Sequence, residues 1–266
     1  MCPINVLDIC RNIVEREKPV CQNLGLCFNF YTDWDANKPD LKDILKSLPE
    51  NITGLGDMLL AWKQRKITQL KSIHDMGYSC RYTPEGVRTM SRLASGMGNP
   101  NPHENGLTFQ FPLGFPIVPA SSQKGAVSNY ALLFEEKDKD KKDKDAIRIF
   151  GNKDTGRGSV FFFDAFPLPG TAPLLEADVM TPHYTSYYSS KGEEPPADYN
   201  SPKIICFLSV PANMPFFFSM AALTKEDLNM AWSWQKNALF EVGIGSKTRS
   251  GYGRFYTEDF DNYVDI

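Results

Sequence analysis

Apolar residues recur at helical spacing in the first third of the chain and at strand spacing beyond it. Between residues 55 and 76 they fall at Leu55, Met58, Leu59, Trp62, Ile67, Leu70 and Ile73, with basic residues between them. That period predicts one long amphipathic helix. Asn51 and Thr53 are candidate caps for its start and Gly77 for its stop. His74, in its last turn, reads as a surface histidine. Residues 1–78 are therefore expected to form a mostly helical N-terminal extension, and residues 79–266 a domain of their own.

In that domain, residues 87–93 and 107–111 predict short strands. The Ser121-Ser122 pair then leads into Ala126, Val127, Tyr130, Leu133 and Phe134, a helix with a serine N-cap. Residues 160–163, 204–210 and 216–222 predict strands, the last two joined as a hairpin through Pro211-Ala212-Asn213. Thr224 caps a helix, with Asp227 at the capping-box position and Leu228, Ala231, Trp232, Ala238 and Leu239 facing inward. Trp232 and Trp234 read as packing. Arg254-Phe255-Tyr256 supplies a last strand.

Strand, helix, strand, strand, helix, strand is the order of an α+β, ferredoxin-like (RRM-like) fold. Its helices are expected on one face of an antiparallel sheet, with the other face free. Two long insertions interrupt the pattern. Residues 135–145 hold five lysines and six acids, which reads as a solvated loop. Residues 167–202, rich in Pro, Gly, Ser and Tyr, read as a long loop, either functional or disordered.

Composition narrows the chemistry. A hydrophobic fraction of 42% supports a real core, and no run approaches the roughly 20 apolar residues of a membrane span. Met1-Cys2-Pro3 opens no signal peptide. The expectation is a soluble, cytoplasmic protein with no membrane partner. Cys2, Cys10, Cys21, Cys27, Cys80 and Cys206 contain no CxxC pair, so neither metal nor cofactor is expected, and the cysteines read as reduced thiols. With 29 basic and 32 acidic residues the net charge is −3. Any contact with a polyanion must be local.

One segment offers such a contact. Gly243-Ile244-Gly245-Ser246-Lys247-Thr248-Arg249-Ser250-Gly251-Tyr252-Gly253-Arg254 interleaves glycines, cations and hydroxyls. Glycine admits a backbone that approaches a ligand closely, and successive amides in such turns make anion sites. Residues 236–254 hold four basic residues and one acid, Glu241, and Tyr252 offers a ring for base stacking. A nucleotide-binding P-loop is excluded, because Ser246 separates Gly245 from Lys247-Thr248 and a strand rather than a helix follows. Ser121, Ser122 and Lys124 form a second candidate phosphate site at a helix start.

Other pieces carry a resemblance: Arg92-Leu93-Ala94-Ser95-Gly96-Met97-Gly98, Pro116 through Gly125, Ile149-Phe150-Gly151, Gly158 through Pro167, and Asp178-Val179-Met180-Thr181-Pro182-His183-Tyr184. With the glycine-rich loop they resemble, in order and over residues 80–256, the RAMP proteins of CRISPR type III systems. The nearest likeness is to the sixth-subunit type of the Cmr (type III-B) RNA-guided effector complex. Ala120 stands where the family usually has glycine, and Met97 where leucine is common.

The resemblance implies a RAMP domain in a structural subunit that caps the 3′ end of the crRNA. It implies RNA contacts at Gly243, Gly245, Ser246, Lys247, Thr248, Arg249, Gly251, Tyr252, Gly253 and Arg254, and at Ser121, Ser122 and Lys124. It also implies RNA contacts at His183 and Tyr184, and the segment 182–202, with Tyr184, Tyr187 and Tyr188, reads as a thumb or as a flexible surface hairpin. Implied partners are the crRNA and target RNA duplex, the backbone RAMP subunit, the small subunit and the other 3′-end RAMP subunit. Two alternatives stay open. An RAMP-type endoribonuclease would need an acid–base group such as His183 or carboxylates such as Asp33, Asp35, Asp164 and Asp178. A pure protein adaptor would keep the loop for folding alone.

Overall fold

Phe166, Phe216, Phe217 and Phe218 are fully buried in the hydrophobic core, with Phe161, Phe162 and Phe163 packed against it. The computed structural model describes residues 21, 23–30, 54–101, 105–133, 139–154, 156–170, 173–184, 187, 189–190, 193, 195, 202 and 204–266. Asn51, Thr53, Asp33, Asp35, Tyr188, Cys2 and Cys10 lie outside these. The N-terminal helices are α1 (Leu24–Phe30) and α2 (Leu55–Asp75). Gly77, at φ 93°, ends α2 as expected, its N–H donating to His74 O.

The main sheet comprises β1 (Ser79–Tyr82), β5 (Val160–Phe162), β10 (Ser219–Ala222) and β11 (Val264–Asp265), in the order β11-β1-β10-β5 and antiparallel throughout. Helix α3 (Ala120–Leu133) lies between β1 and β5 in sequence, and α5 (Lys225–Glu241) between β10 and β11. Two interleaved β-α-β units with this strand order match the ferredoxin-like expectation. Three strands continue below a bend as β2 (Val87–Arg88), β6 (Phe166–Pro167) and β9 (Pro215–Phe217). At the bend, Thr83 exchanges hydrogen bonds with Phe218, taking the Phe218 N–H on its hydroxyl at 3.0 Å.

Several expectations change. Of the strands expected at 87–93 and 107–111 only Val87–Arg88 forms, while Leu93 and Phe109 make isolated bridges to Val210 and Pro116. The closing strand is β11, not Arg254-Phe255-Tyr256, of which Phe255 makes an isolated bridge to Thr89. Arg81, 3% exposed, draws β11 to the edge through Asp265 at 2.5 Å, and Arg88 holds Asp259 at 2.9 Å.

The second face of the sheet is also not free at its centre, on β1 and β10. Arg81 reaches Asn229 and Trp232 of α5, so by strand alternation Cys80 faces the other way. Cys80 and its partner Ala221 are nonetheless fully buried, and α2 packs against β1. Leu59 and Leu70 of α2 join the same hydrophobic core as the strands.

The charge run becomes helical from residue 139, as α4 (Lys139–Phe150). Ala146, Ile149 and Phe150 supply a buried stripe just past the run, and the Phe150 ring stacks on Phe162 and Trp234.

Last, the segments 204–210 and 216–222 do not pair with each other. β8 (Ile205–Ser209) pairs with β7 (Glu176–Met180), a strand inside the expected long loop, while β9 and β10 pair with the first arm of the sheet. The turn between them forms at Asn213, φ 63°. A short hairpin of β3 (Gly151–Asn152) and β4 (Gly156–Arg157) completes the described strands. The Thr224 cap forms as expected, accepting the Asp227 N–H at 3.2 Å, and Trp232 and Trp234 are buried.

Candidate nucleic-acid interface

The glycine-rich loop leaves the C-terminal end of α5 and is stitched to the 92–94 segment by its own backbone. Ser246 N–H donates to Ala94 O at 2.7 Å, Gly253 N–H to Arg92 O at 2.7 Å and Ile244 N–H to Gly253 O at 2.9 Å. Glycine is obligatory at two of these points. A Cβ on Gly253 would sit 1.9 Å from Ile244 O, and one on Gly245 2.5 Å from Ala94 O. Close stitching leaves a short turn projecting, Thr248–Ser250, preceded by Lys247 at φ 59°. The N–H groups of Lys247, Thr248 and Arg249 have no acceptor among the described residues. Three successive free amides beside a left-handed residue are the geometry that cradles an oxyanion.

The structure divides the three cations of the loop. Arg254 Nη1 donates to Phe240 O at 2.7 Å, at the end of α5. The Lys247 ammonium lies 4.7 Å from the Phe207 ring centre and 5.5 Å from that of Tyr252, a cation–π arrangement. Arg249 is exposed and, among the described residues, has no ion pair, carbonyl or ring partner. Each other described arginine has one: Arg65, Arg81, Arg88, Arg92, Arg148, Arg157 and Arg254.

Tyr252 is half-buried rather than presented for stacking. Its hydroxyl donates to the Asp178 carboxylate; burial and this bond raise its pKa. Asp178 also receives Arg92 Nη1 at 2.9 Å and the Val179 N–H at 2.8 Å. Burial opposes its charge, yet Tyr252, Val179 and Arg92 together hold the Asp178 carboxyl below the usual range. Arg92 Nε meets Glu176 Oε1 at 2.5 Å. In the sequence Arg92 stands only as a family piece and Asp178 also as a candidate metal carboxylate; their partnership, like the role of Phe207, depends on strand β7, whose pairing with β8 is not visible there.

The second candidate site opens α3. The expected serine N-cap does not form: the helix starts at Ala120, whose N–H donates to Asp164 Oδ1 at 2.7 Å. Asp164, at the end of the β5 arm, reaches the helix start because Val118 bridges Ala165. Ser121, Ser122 and Lys124 are left exposed in the first turns. Gln235 Nε2 donates to Gln123 Oε1 at 2.8 Å, setting that opening turn beside the last two turns of α5. Both candidate sites therefore lie at the end of the helical layer from which the glycine-rich loop departs. His183 and Tyr184 are exposed just beyond the end of β7, the strand that carries Asp178. The described residues hold no group of three His, Cys, Asp or Glu able to take a metal ion, and no described helix is long and apolar enough to cross a membrane.

The sequence matches the RAMP superfamily over residues 87–256. It is 31% identical to the CRISPR system Cmr subunit Cmr6 of Pyrococcus furiosus, the match covering 63% of this chain and 65% of the relative. It is 30% identical to the CRISPR system CMR subunit Cmr6 of Saccharolobus solfataricus, over 57% of this chain and 48% of the relative. The matches thus span less than two thirds of either relative. A chain from the cryo-EM structure of the type III-B Cmr-beta bound to cognate target RNA superposes with a TM-score of 0.67 at 20% identity, over 94% of this chain and 96% of that one. The two share a fold.

Proposed function

The chain belongs to the RAMP superfamily, and from that premise we propose that it is a non-catalytic, guide-RNA-binding subunit of a type III-B CRISPR effector complex. The likeness to two Cmr6 proteins supports the assembly. In this reading it caps the 3′ end of the crRNA, beside the backbone RAMP subunit, the small subunit and the other 3′-end RAMP subunit.

The observation that carries the RNA contact is the turn 247–249. It offers free amides and, among the described residues, the one unengaged guanidinium, Arg249. Ser121, Ser122 and Lys124 are the second contact, and His183 and Tyr184, exposed just beyond β7, are a third. Because α2 covers the centre of the sheet, RNA is read by loops at its end rather than stacked on its face. Asp164 and Asp178 are engaged as a helix cap and a tyrosine anchor, which supports a binding role over cleavage.

The test is crRNA retention in the assembled complex. Arg249→Ala, alone and with Lys247→Gly, is expected to weaken retention and to flatten its salt dependence by about one unit per lost phosphate contact. Unchanged retention and slope favour the protein adaptor. Magnesium-dependent cleavage by the purified chain, lost in Asp164→Ala, favours the endoribonuclease.

A further inference from the structure

We infer that Asp178 is a positioning residue that holds the glycine-rich loop and the β7–β8 hairpin together as one clamp, and so sets the turn at Lys247–Arg249. The inference rests on the reading that this turn meets RNA.

The coupling runs through named contacts. Asp178 takes the Tyr252 hydroxyl from the loop and Arg92 Nη1 from the segment beneath it. Arg92 in turn accepts the Gly253 N–H on its carbonyl and pairs with Glu176 of the hairpin. One arginine and one aspartate thus bind both elements.

The hydroxyl bond fixes the far end of the Tyr252 ring, whose centre lies 6.0 Å from that of Phe207. Those two rings hold the Lys247 ammonium. Ala94, Met97 and Phe207 form a small separate core beneath them, with Met180 and Tyr252 packed on it.

Lys247 is the strained member. Its φ of 59° is in the left-handed region, which side-chain-bearing residues avoid and which persists where surroundings over-determine it. Here the surroundings are the Ser250 and Tyr252 N–H groups on Lys247 O, at 2.9 and 3.3 Å, and the two rings above the ammonium. Without the Asp178 anchor the Tyr252 ring loses its fixed end, Lys247 loses one of its two rings, and the free amides lose their common direction. The same aspartate lies two residues before the end of β7, so it also sets the start of the arm bearing His183 and Tyr184. Tyr252, Val179 and Arg92, against burial, hold its carboxyl below the usual carboxylate range, so the link is a charged one at neutral pH.

The test uses the full chain with Tyr252→Phe, Asp178→Asn and the double variant. Amide hydrogen exchange is expected to quicken at Ser246 and Gly253 and along β7 in each single variant, with no further gain in the double. Binding of a 3′-labelled single-stranded oligouridylate is expected to weaken by roughly tenfold in each, again without addition, as for residues acting through one contact. Faster exchange confined to β7, or additive effects, overturns the inference. Should Arg249→Ala lose binding while Tyr252→Phe keeps it, the RNA-contact reading stands and the positioning role falls. Should Arg249→Ala bind as wild type does, that reading fails and the exchange data alone decide the clamp. Tyr252→Phe removes one oxygen, so it carries the test even if Asp178→Asn fails to fold.

Discussion

Arg254 Nη1 lies 2.7 Å from the carbonyl oxygen of Phe240, so the last cation of the basic loop closes helix α5. A guanidinium on the final carbonyls answers the negative end of the helix dipole. Arg254→Ala is therefore expected to lower stability by about 1 kcal/mol, read as a shift in the urea midpoint. RNA affinity under folding conditions should stay close to wild type. A loss of affinity matching that of Arg249→Ala would return Arg254 to the RNA contact.

Gly253 and Gly251 are two residues apart, and substitution separates them. Both have positive φ, but a Cβ on Gly253 would meet Ile244 O at 1.9 Å, whereas one on Gly251 meets nothing within 4 Å. Gly251→Ala is expected to cost about 1–2 kcal/mol from backbone strain alone. Gly253→Ala must also break the bond between Ile244 and the loop, so its thermal midpoint should fall clearly further. Equal midpoints would mean that the loop relaxes freely at both positions.

The loop was legible because its glycines and cations are contiguous. Sequence reading could not show which cations were already engaged: Arg254 finds its partner 14 residues back on α5, and Lys247 finds Phe207 on a distant strand. The same limit hid β7. Its residues Glu176–Met180 are neither strongly apolar nor alternating in burial, and their pairing with β8 is a tertiary choice. Helices α2, α3 and α5 were legible from their period. Helix α4 was not, because residues 139–145 carry nothing but charge and the buried stripe comes only afterwards.

At the start of α3, Asp164 takes a helix N-terminal amide that an approaching phosphate could otherwise use. Its carboxylate on the Ala120 N–H satisfies the helix end, yet it repels a second anion approaching Ser121, Ser122 and Lys124. Asp164→Asn keeps an acceptor and removes the charge. It is expected to cost about 0.3–1 kcal/mol of helix–charge stabilisation while tightening crRNA retention and steepening its salt dependence. Retention that does not respond would remove the α3 turn from the contact surface.

Asp265 anchors the edge strand to a buried cation, and the consequence depends on pH. The hydrogen bond from Arg81, against burial, holds the Asp265 carboxyl below the usual carboxylate range, with Lys225 adding to the pull. A folded value below the unfolded one means stability that is complete above the unfolded pKa, about 4, and lost as pH falls through the folded value. Asp265→Asn should therefore be less stable than wild type at pH 7, and the gap should narrow in acid below pH 4. Arg81 is 3% exposed, so removing its counter-charge leaves a nearly buried guanidinium supported by Asn229 and the Tyr263 ring. The expected loss at pH 7 is about 2–4 kcal/mol, towards the lower part of the range for broken buried pairs because Asp265 itself is partly exposed. Urea unfolding of both proteins between pH 2.5 and 7 reads the difference directly. A gap that stayed constant across that range would place the stabilisation in strand pairing at Val264 and Asp265 rather than in the charge of the carboxylate.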